Sequence, residues 1–587
     1  MLAWWLLFSL CAYICSVQAV VSSATQQHLA SKRQTELEAA TDRWLQAKTL
    51  DQTCNACIAW FYLVKQLSYG PENVQKAALV KACQKTKLYP AEVCDGVVEE
   101  QTPVAREVLK TMSIGGRDGH LLCAAAFNSC AYPDVIPWNI TFPKSKPSVK
   151  KHPRSDTARR KRTFNVLHLS DWHIDPSYAA GTEAACDKPI CCRRDSNSGD
   201  EIHQRASKWG SYQCDAPLPL INSMLEYIES LDDIRFGLMT GDVPPHDVWN
   251  TLPVNKTRMI QTDSYQLLHA YFDDSFRARL YPTFGNHEAA PANLFPLNGS
   301  SIPQDRSYLK MEWLYGALKK AWKGWIPREV DVKARKGNYA VRPVRGLKIV
   351  SLNTNFCYTF NWWLYQSPFE KDPDGMLQWL IDQLQESEDL QERVWIMGHI
   401  APGDMTCLHD FSNYYYQIVE RYAPHVIVGQ FFGHTHRDEF QIFYRHERKD
   451  AEHAIAVAYL APSVTPFPRL NPGFRVYEVD NETFEIVDSK TYTANLDQAD
   501  TWLQGPNWHL EYSARKAYNG STELSLTPAW WHNVSVAMEQ DIHVFDKYWE
   551  YRTKSSAVRE ECDDGCRHQI LCSIRAGKSE LRCDYKR

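Results

Sequence analysis

The feature that most constrains the fold is a series of five short apolar runs, each closed by a block rich in aspartate, asparagine and histidine. Their length and their β-branched and aromatic content are typical of buried strands. In open α/β sheets, the loops at the carboxyl ends of the strands converge, so residues distant in sequence meet there. We therefore predict a sheet that brings the blocks together, with strands at residues 164–169, 234–239, 280–284, 394–397 and 426–432.

The blocks supply carboxylate, amide and imidazole groups, which are ligands that suit zinc, iron or manganese. Two metal ions close together can activate a water and clamp the oxygens of a phosphodiester during in-line displacement. Asp242 is the candidate to bridge them, and the neighbouring glycines 241, 285, 398 and 433 are expected to permit sharp turns. The polar residues of the blocks are Asp171, His173, Asp242, Asn286, His287, His399, His434 and His436.

The length of the chain limits the number of domains, and its charge limits the kinds of partner. A chain of 587 residues has room for about two to four domains. The formal net charge is only −5, and no extended basic face with interleaved aromatic residues is evident. A nucleic-acid partner is therefore not expected.

The N-terminus and the cysteines indicate an oxidising compartment. Residues 1–19 read as a signal peptide, with an uncleaved membrane anchor as the alternative because no basic residue precedes the apolar run. Removing this segment would leave sixteen of the eighteen cysteines, an even number that suits disulfides. We expect a protein that is secreted or delivered to the lumen of a lysosome or vacuole, with glycosylation at Asn139, Asn255, Asn298, Asn481, Asn519 and Asn533.

Residues 50–132 form a separate cysteine-rich module. Its apolar residues recur at three- and four-residue steps, which predicts helices with one apolar face. The opening CxxC pair is not matched by a second CxxC or a histidine pair, which argues against a zinc site. Cysteine order and helical periodicity resemble the saposin B-type domain, which implies four helices and a lipid-handling role; a bundle without a lipid role is the alternative. The resemblance implies the pairs Cys54–Cys130, Cys57–Cys123 and Cys83–Cys94.

Residues 133–163 are rich in proline, lysine and arginine, which favours an extended, solvated linker. Two functions are consistent with the basic charge. The segment could bind anionic lipid surfaces, or the run ending at Arg162 could be a processing site.

The five blocks, with NFCYTFNWWLY from 355 and LAPSVTPFPRLNPGFRVY from 460, resemble the calcineurin-like metallophosphoesterase superfamily and, more closely, the acid sphingomyelinase family. The match extends from about residue 165 to residue 475. It implies an α/β fold, with a calcineurin-like β-sandwich flanked by helices over residues 164–505. It also implies two divalent metal ions, with zinc expected. The first would be held by Asp171, His173, Asp242 and His436, and the second by Asp242, Asn286, His399 and His434.

The same resemblance assigns His287 and His246 to the phosphate rather than to a metal. Either imidazole could protonate the departing alkoxide, and the sequence does not distinguish between them; ordinary loop packing is the alternative for His246. Ala401 replaces a proline that is usual in the family, but it is not a ligand. The implied disulfides of this region and of a helical C-terminal subdomain at 506–587 are Cys186–Cys191, Cys192–Cys214, Cys357–Cys407, Cys562–Cys566 and Cys572–Cys583.

By this resemblance the chain is an enzyme that hydrolyses sphingomyelin, or a related phosphosphingolipid, to ceramide and phosphocholine through in-line attack of a metal-bound hydroxide. We expect a monomer that meets the membrane surface through the saposin-like module. The alternatives are the same chemistry on soluble nucleotides, nucleotide-linked choline or polyphosphate, and a non-enzymatic lipid carrier. An aromatic stretch could contact lipid or pack in the core: Phe360, Trp362, Trp363, Leu364 and Tyr365.

Overall fold

In the computed structural model, the described residues are 32–147, 162–197, 201–231, 233–275, 278–520 and 525–583. These described residues divide into two compact units: those up to residue 133 together with 365–368, and those from residue 134 onward apart from 365–368. The predicted signal peptide and most of the basic run before Arg162 lie outside the described residues. None of the described helices has the length and apolar character needed to cross a membrane.

The first unit is helical, as the periodicity predicted. Its described helices are α1 (residues 32–46), α2 (Leu50–Leu67), α3 (Glu72–Thr86), α4 (Ala91–Thr111) and α5 (Arg117–Ala125). Thr49 caps the N-terminus of helix α2, because its hydroxyl accepts the backbone N–H of Gln52. The helix buries Cys57, Phe61 and Val64 on one face. The disulfides in this unit are Cys54–Cys130, Cys57–Cys123 and Cys83–Cys94, as the resemblance implied.

The second unit contains two six-stranded sheets. The first has the strand order β12-β11-β10-β1-β2-β3, and the second has the order β4-β5-β6-β7-β9-β8. The strands are β1 (Thr163–Leu169), β2 (Ile234–Met239), β3 (Arg279–Pro282), β4 (Tyr339–Val344), β5 (Leu347–Ser351), β6 (Arg393–Met397), β7 (Ile427–Phe432), β8 (Glu439–Tyr444), β9 (Ala454–Leu460), β10 (Gly473–Asp480), β11 (Ile486–Thr493) and β12 (His509–Ser513).

Parallel pairing places the predicted blocks together. Strands β1, β2 and β3 pair in parallel in the first sheet, and β5, β6 and β7 do so in the second, so their carboxyl ends align. Aromatic side chains from both sheets pack between them, with ring centroids 5.8 Å apart for Phe236 and Trp395, and 4.6 Å apart for Trp395 and Phe431. This buried layer makes the unit a sandwich whose ligand-bearing loops lie at one edge.

Helices accompany both sheets. They are α6 (Leu218–Glu229), α7 (Val254–His269), α8 (Glu312–Ala321), α9 (Met376–Leu390), α10 (His409–Tyr422), α11 (Ala514–Ala517), α12 (Pro528–Gln540), α13 (Ile542–Arg552) and α14 (Asp564–Ile574). The C-terminal segment differs from the prediction, because it begins with strand β12 and becomes helical only afterwards. This strand pairs antiparallel with β11 at the edge of the first sheet, an interaction that helical periodicity in the following residues could not reveal.

The remaining disulfides are all in the second unit and have the partners that the resemblance implied: Cys186–Cys191, Cys192–Cys214, Cys357–Cys407, Cys562–Cys566 and Cys572–Cys583.

The first part of the basic linker, residues 134–147, has no regular secondary structure but makes specific contacts. The backbone N–H of Ile136 donates to Asp410 at 2.7 Å, and Lys146 Nζ donates to the carbonyl oxygens of Glu420 and Ala423 at 2.8 and 2.7 Å. These residues therefore lie along helix α10 rather than free in solvent, whereas residues 148–161 lie outside the described part of the chain.

Candidate two-metal site

Each predicted ligand follows a strand of one of the two sheets. The ligands from the first four blocks are 0–2% exposed, and His436 from the fifth is 6% exposed. Their loops bring them to the sheet edge predicted from the sequence. Five of them have positive backbone φ angles of 41° to 73°, a conformation that is uncommon for residues other than glycine. Such strain recurs at functional sites, where the surrounding fold maintains it. These five residues are Asp171, His173, Asp242, His434 and His436.

One group of donor atoms surrounds the Nε2 atom of His173. His436 Nε2 lies 3.2 Å from it, and the carboxylate oxygens of Asp171 and Asp242 lie 3.8 and 3.5 Å from it. His436 Nε2 is also 3.4 Å from Asp171. These four side chains are the set expected to hold the first metal ion.

A second group surrounds the Nε2 atom of His399. Asp242 Oδ2, Asn286 Oδ1 and His434 Nδ1 lie 3.1, 3.1 and 3.2 Å from it. Because Asp242 Oδ2 belongs to both groups, its position between them suits a bridging carboxylate. The Asn286 amide is oriented by its Nδ2, which donates to Asn293 at 2.9 Å and leaves Oδ1 facing the site.

Hydrogen bonds determine which histidine nitrogen faces the site. The Nδ1 atoms of His173, His399 and His436 lie 2.7, 2.7 and 2.6 Å from the backbone carbonyl oxygens of Pro244, Thr240 and Phe467. A carbonyl oxygen only accepts, so each Nδ1 carries the proton and each Nε2 presents a lone pair. His434 is reversed, because its Nε2 lies 3.1 Å from the Thr406 hydroxyl, which leaves Nδ1 for the site.

The donor set fits two metal ions. Atoms bound about 2.1 Å from one ion lie about 3.0–3.5 Å from each other in octahedral or tetrahedral geometry, which is close to most of the separations above. Nitrogen lone pairs facing one another at 3.2 Å, as in His173 and His436, would repel without a shared cation. Burial, together with the His246 ring, lowers the pKa of His173 to about 3, which keeps this imidazole neutral and able to ligate.

The glycines beside the ligands have two different roles. Gly241 has a φ of +95°, which glycine adopts without strain, as the sequence predicted. Gly285 and Gly433 do not have positive φ; a Cβ atom would lie 2.1 Å from Asp242 Oδ1 at residue 285 and 2.0 Å from Ser170 Oγ at residue 433. At these two positions glycine is required by close approach to the site rather than by a turn.

The two histidines expected at the phosphate lie beside the metal groups. The ring of His246 is 3.6 Å from that of His173 and 4.7 Å from that of His287, and His287 Nε2 is 4.0 Å from Asp242 Oδ2. His246 Nδ1 donates to Asp215 at 2.7 Å, and the backbone N–H of His246 donates to the other oxygen of the same carboxylate at 2.7 Å. Each histidine could also ligate a cation geometrically, since each belongs to a candidate metal group with His173.

Comparison with known proteins identifies the family. Residues 164–438 match the calcineurin-like phosphoesterases, and residues 453–582 match the acid sphingomyelin phosphodiesterase C-terminal region. Sphingomyelin phosphodiesterase from Bos taurus is 35% identical over 542 residues, covering 90% of this chain and 82% of that protein. The Homo sapiens protein of the same name is also 35% identical, over 538 residues, with the same two coverages. The chain belongs to the acid sphingomyelinase family.

A further relative is acid sphingomyelinase-like phosphodiesterase 3b from Homo sapiens, which is 30% identical over 430 residues, covering 70% of this chain and 87% of that protein. Among solved structures, PhoD aligns with a TM-score of 0.35 and 11% identity over 61% of this chain and 70% of that one, too low to compare the two folds. As a member of the acid sphingomyelinase family, the chain is an enzyme, a phosphoric diester hydrolase that uses divalent metal ions.

Two buried acidic residues near the site, Asp215 and Glu288, were not assigned a role from the sequence. Asp215 holds His246, as described above. Glu288, within the GNHE block, accepts the backbone N–H groups of Asp242, Val243 and Gly285 at 3.1, 2.8 and 2.7 Å. Burial and the nearby Asp242 carboxylate raise the pKa of Glu288 to about 8. Glu288 therefore fixes the loop that presents Asp242. In the sequence, only its position directly after His287 could have indicated this role.

The aromatic stretch divides between core and surface. Trp363, Leu364 and Tyr365 are buried, whereas Phe360 is 36% exposed. Core packing therefore accounts for the second half of the stretch, whereas Phe360 reaches the surface. The asparagines of all six sequons are exposed, as glycosylation requires.

Proposed function

We propose that this protein hydrolyses sphingomyelin, or a closely related phosphosphingolipid, to ceramide and phosphocholine. The observation that carries the proposal is the pair of donor groups sharing Asp242, together with 35% identity to sphingomyelin phosphodiesterases over 90% of the chain. That share is larger than everything that follows residue 133, so the similarity extends into the helical unit. Acid sphingomyelinase-like phosphodiesterase 3b, by contrast, matches only 70% of this chain, so the greater extent of the match to sphingomyelin phosphodiesterases favours a lipid substrate.

The metal ions are proposed to be zinc. Asp171, His173, Asp242 and His436 would hold one ion, and Asp242, Asn286, His399 and His434 would hold the other. Imidazole nitrogen and carboxylate oxygen in these numbers are ligands that zinc accepts, and iron or manganese would accept them too. When bound, the ions lower the pKa of water and neutralise charge on the phosphoryl oxygens.

The chain's own residues would orient the reacting groups. His246 and His287 would contact the phosphoryl group, since the His246 ring lies 3.6 Å from that of His173 and His287 Nε2 lies 4.0 Å from Asp242 Oδ2. One of these imidazoles donates a proton to the oxygen that leaves with ceramide, as the P–O bond breaks and water adds to phosphorus. The other donates a hydrogen bond to a phosphoryl oxygen.

The helical unit is proposed to contact the membrane. It exposes large apolar side chains at 50–71% of their area, namely Leu45, Leu50, Tyr62, Tyr69, Leu88 and Tyr89. Side chains of this kind insert at the bilayer interface. We further propose that the protein acts as a monomer. An oxidising lumen or the outside of the cell is proposed as its location, in keeping with the eight disulfides among the described residues.

Product analysis tests the proposed function. The full-length protein is incubated in parallel with sphingomyelin liposomes and with soluble phosphodiesters such as nucleotide-linked choline. Release of ceramide and phosphocholine, with much slower turnover of the soluble compounds, is expected. Turnover confined to the soluble compounds would replace the lipid assignment with a soluble phosphodiesterase.

A further inference from the structure

Two loops beside the candidate metal site are joined into one unit, which we call the lip: residues 357–362 and 404–408. The Cys357–Cys407 disulfide connects them. The backbone N–H of Thr359 donates to the Thr406 carbonyl at 2.8 Å, and that of Leu408 donates to the Cys357 carbonyl at 2.8 Å. The lip is thus a short antiparallel pair, with a bridge between Tyr358 and Cys407.

Both loops of the lip contact the same candidate ligand. The Tyr358 ring lies 5.1 Å from the ring of His434, edge to face at 82°. The Thr406 hydroxyl lies 3.1 Å from His434 Nε2. The inner end of the lip therefore borders the second donor group.

The outer end of the lip is apolar and exposed. Phe360 follows the bridged residue Tyr358 by two positions, and Met405 precedes its partner Cys407 by two, so both lie toward the same end of this antiparallel pair. Phe360 is 36% exposed and Met405 is 70% exposed. The Phe360 ring is 5.5 Å from the Tyr358 ring, so apolar side chains continue from His434 to the surface.

We propose that Phe360 and Met405 bind the hydrocarbon of the ceramide moiety and so determine specificity for lipid over soluble phosphodiesters. This inference rests on the proposed function. Because the lip borders His434, a substituent of a phosphodiester bound at the second donor group would lie near it. An exposed aromatic ring with a flexible thioether provides adaptable apolar contact. The one carboxylate of the lip, Asp404, is 5% exposed and accepts from the Thr406 hydroxyl at 2.6 Å. The lip therefore offers apolar area rather than an exposed anion for a cationic headgroup.

The test compares two substrates with the same headgroup. Full-length wild-type protein and the double variant F360S/M405S are assayed with sphingomyelin in vesicles and with p-nitrophenyl phosphocholine, which lacks long hydrocarbon chains. We expect the ratio of kcat/KM for sphingomyelin to that for the soluble ester to fall at least about tenfold, through a higher KM, since two apolar contacts are lost. F360L/M405L, which keeps the apolar area, should restore most of the ratio.

Leu390→Ser is the matched control. Leu390 is 57% exposed but ends helix α9, before β6 begins, and so lies at the opposite edge of the sheet from the site. Its variant should keep the wild-type ratio. An unchanged ratio in F360S/M405S, or an equal loss on both substrates, would overturn the role of the lip while leaving the proposed function intact. Failure of the wild-type protein to cleave sphingomyelin would contradict the proposed function and, with it, the lip.

Discussion

The carboxylate of Asp215 accepts two hydrogen bonds from His246, one from the backbone N–H and one from ring Nδ1, each at 2.7 Å. Asp215 is fully buried, and Thr465 also donates to it at 3.3 Å. This pairing keeps the proton on Nδ1 and turns Nε2 of His246 toward the donor groups, as a carboxylate does for the imidazole of other hydrolases.

Replacement of Asp215 by asparagine should therefore lower kcat while leaving metal binding intact. The amide is nearly isosteric, but it can present its NH₂ to the ring and favour the wrong tautomer. We expect a loss of about 10–100-fold in kcat with little change in KM. Elemental analysis should still find the wild-type metal content, and metal loss in this variant would mean that Asp215 supports the metal site instead.

The roles of the two histidines proposed to face the phosphate can be distinguished with substrates that differ in their leaving group. His246→Ala and His287→Ala should each lower turnover of sphingomyelin by about 10²–10⁴-fold if the residue donates the proton. An alkoxide needs that proton, whereas p-nitrophenolate leaves without it. The variant whose loss of activity largely disappears with p-nitrophenyl phosphocholine identifies the general acid. If each variant loses the same activity on the two substrates, neither histidine is the general acid.

Asp242→Asn should remove metal as well as activity. Its Oδ2 lies 3.5 Å from His173 Nε2 and 3.1 Å from His399 Nε2, so losing the carboxylate charge weakens both groups. Bound metal per chain should fall, and activity should drop by more than about 100-fold. Chelation of the wild-type protein should have the same effect and be reversed by zinc; full activity in the metal-free state would exclude this mechanism.

The stability of the second unit should depend on Glu388 at acidic pH. Partial burial would raise the pKa of Glu388, but hydrogen bonds from Arg421 and His425 lower it to about 2 from 4.5. A carboxylate whose pKa is lower when folded stabilises the protein above about pH 4.5, and this contribution disappears as the pH falls toward 2.

Glu388→Gln should therefore reduce the free energy of unfolding by about 2 kcal/mol at pH 7, with the difference from wild type shrinking below pH 4.5. Denaturant titrations across this range measure it. Glu560→Gln is the control, because its side chain is 76% exposed and its ion pair with Arg469 is 3.4 Å long, so little effect is expected. A difference that stays constant with pH would contradict the ionic origin of the stabilisation.

Much of the site could be predicted from the sequence because the end of each strand is evident locally, where an apolar run gives way to a polar block. The run 234–239 became β2 with those bounds, and β1, β6 and β7 begin within a residue of the prediction. The last residues of the run at 280–284 do not belong to β3, since Thr283 and Phe284 already lead into the loop of Asn286. Apolar content alone does not distinguish a strand end from a buried loop.

Other features depend on contacts that no local pattern records. Asp215 is 31 positions from His246 and lies in a loop without periodicity, so its role became evident only in the fold. Likewise, the aromatic stretch has a uniform composition, yet Trp363 is buried and Phe360 is exposed. Strand β12 was missed because an edge strand of five residues gains its stability from pairing with β11 rather than from its own sequence.

In the proposed reaction, this protein adds water to the phosphorus of sphingomyelin. The most direct measurement is mass spectrometry of the products formed from sphingomyelin liposomes in ¹⁸O-labelled water. We predict one ¹⁸O atom in phosphocholine and none in ceramide, with product formation lost in Asp242→Asn. Label in ceramide or the absence of both products would contradict hydrolysis at phosphorus, and undiminished turnover by the variant would contradict its dependence on the metal site.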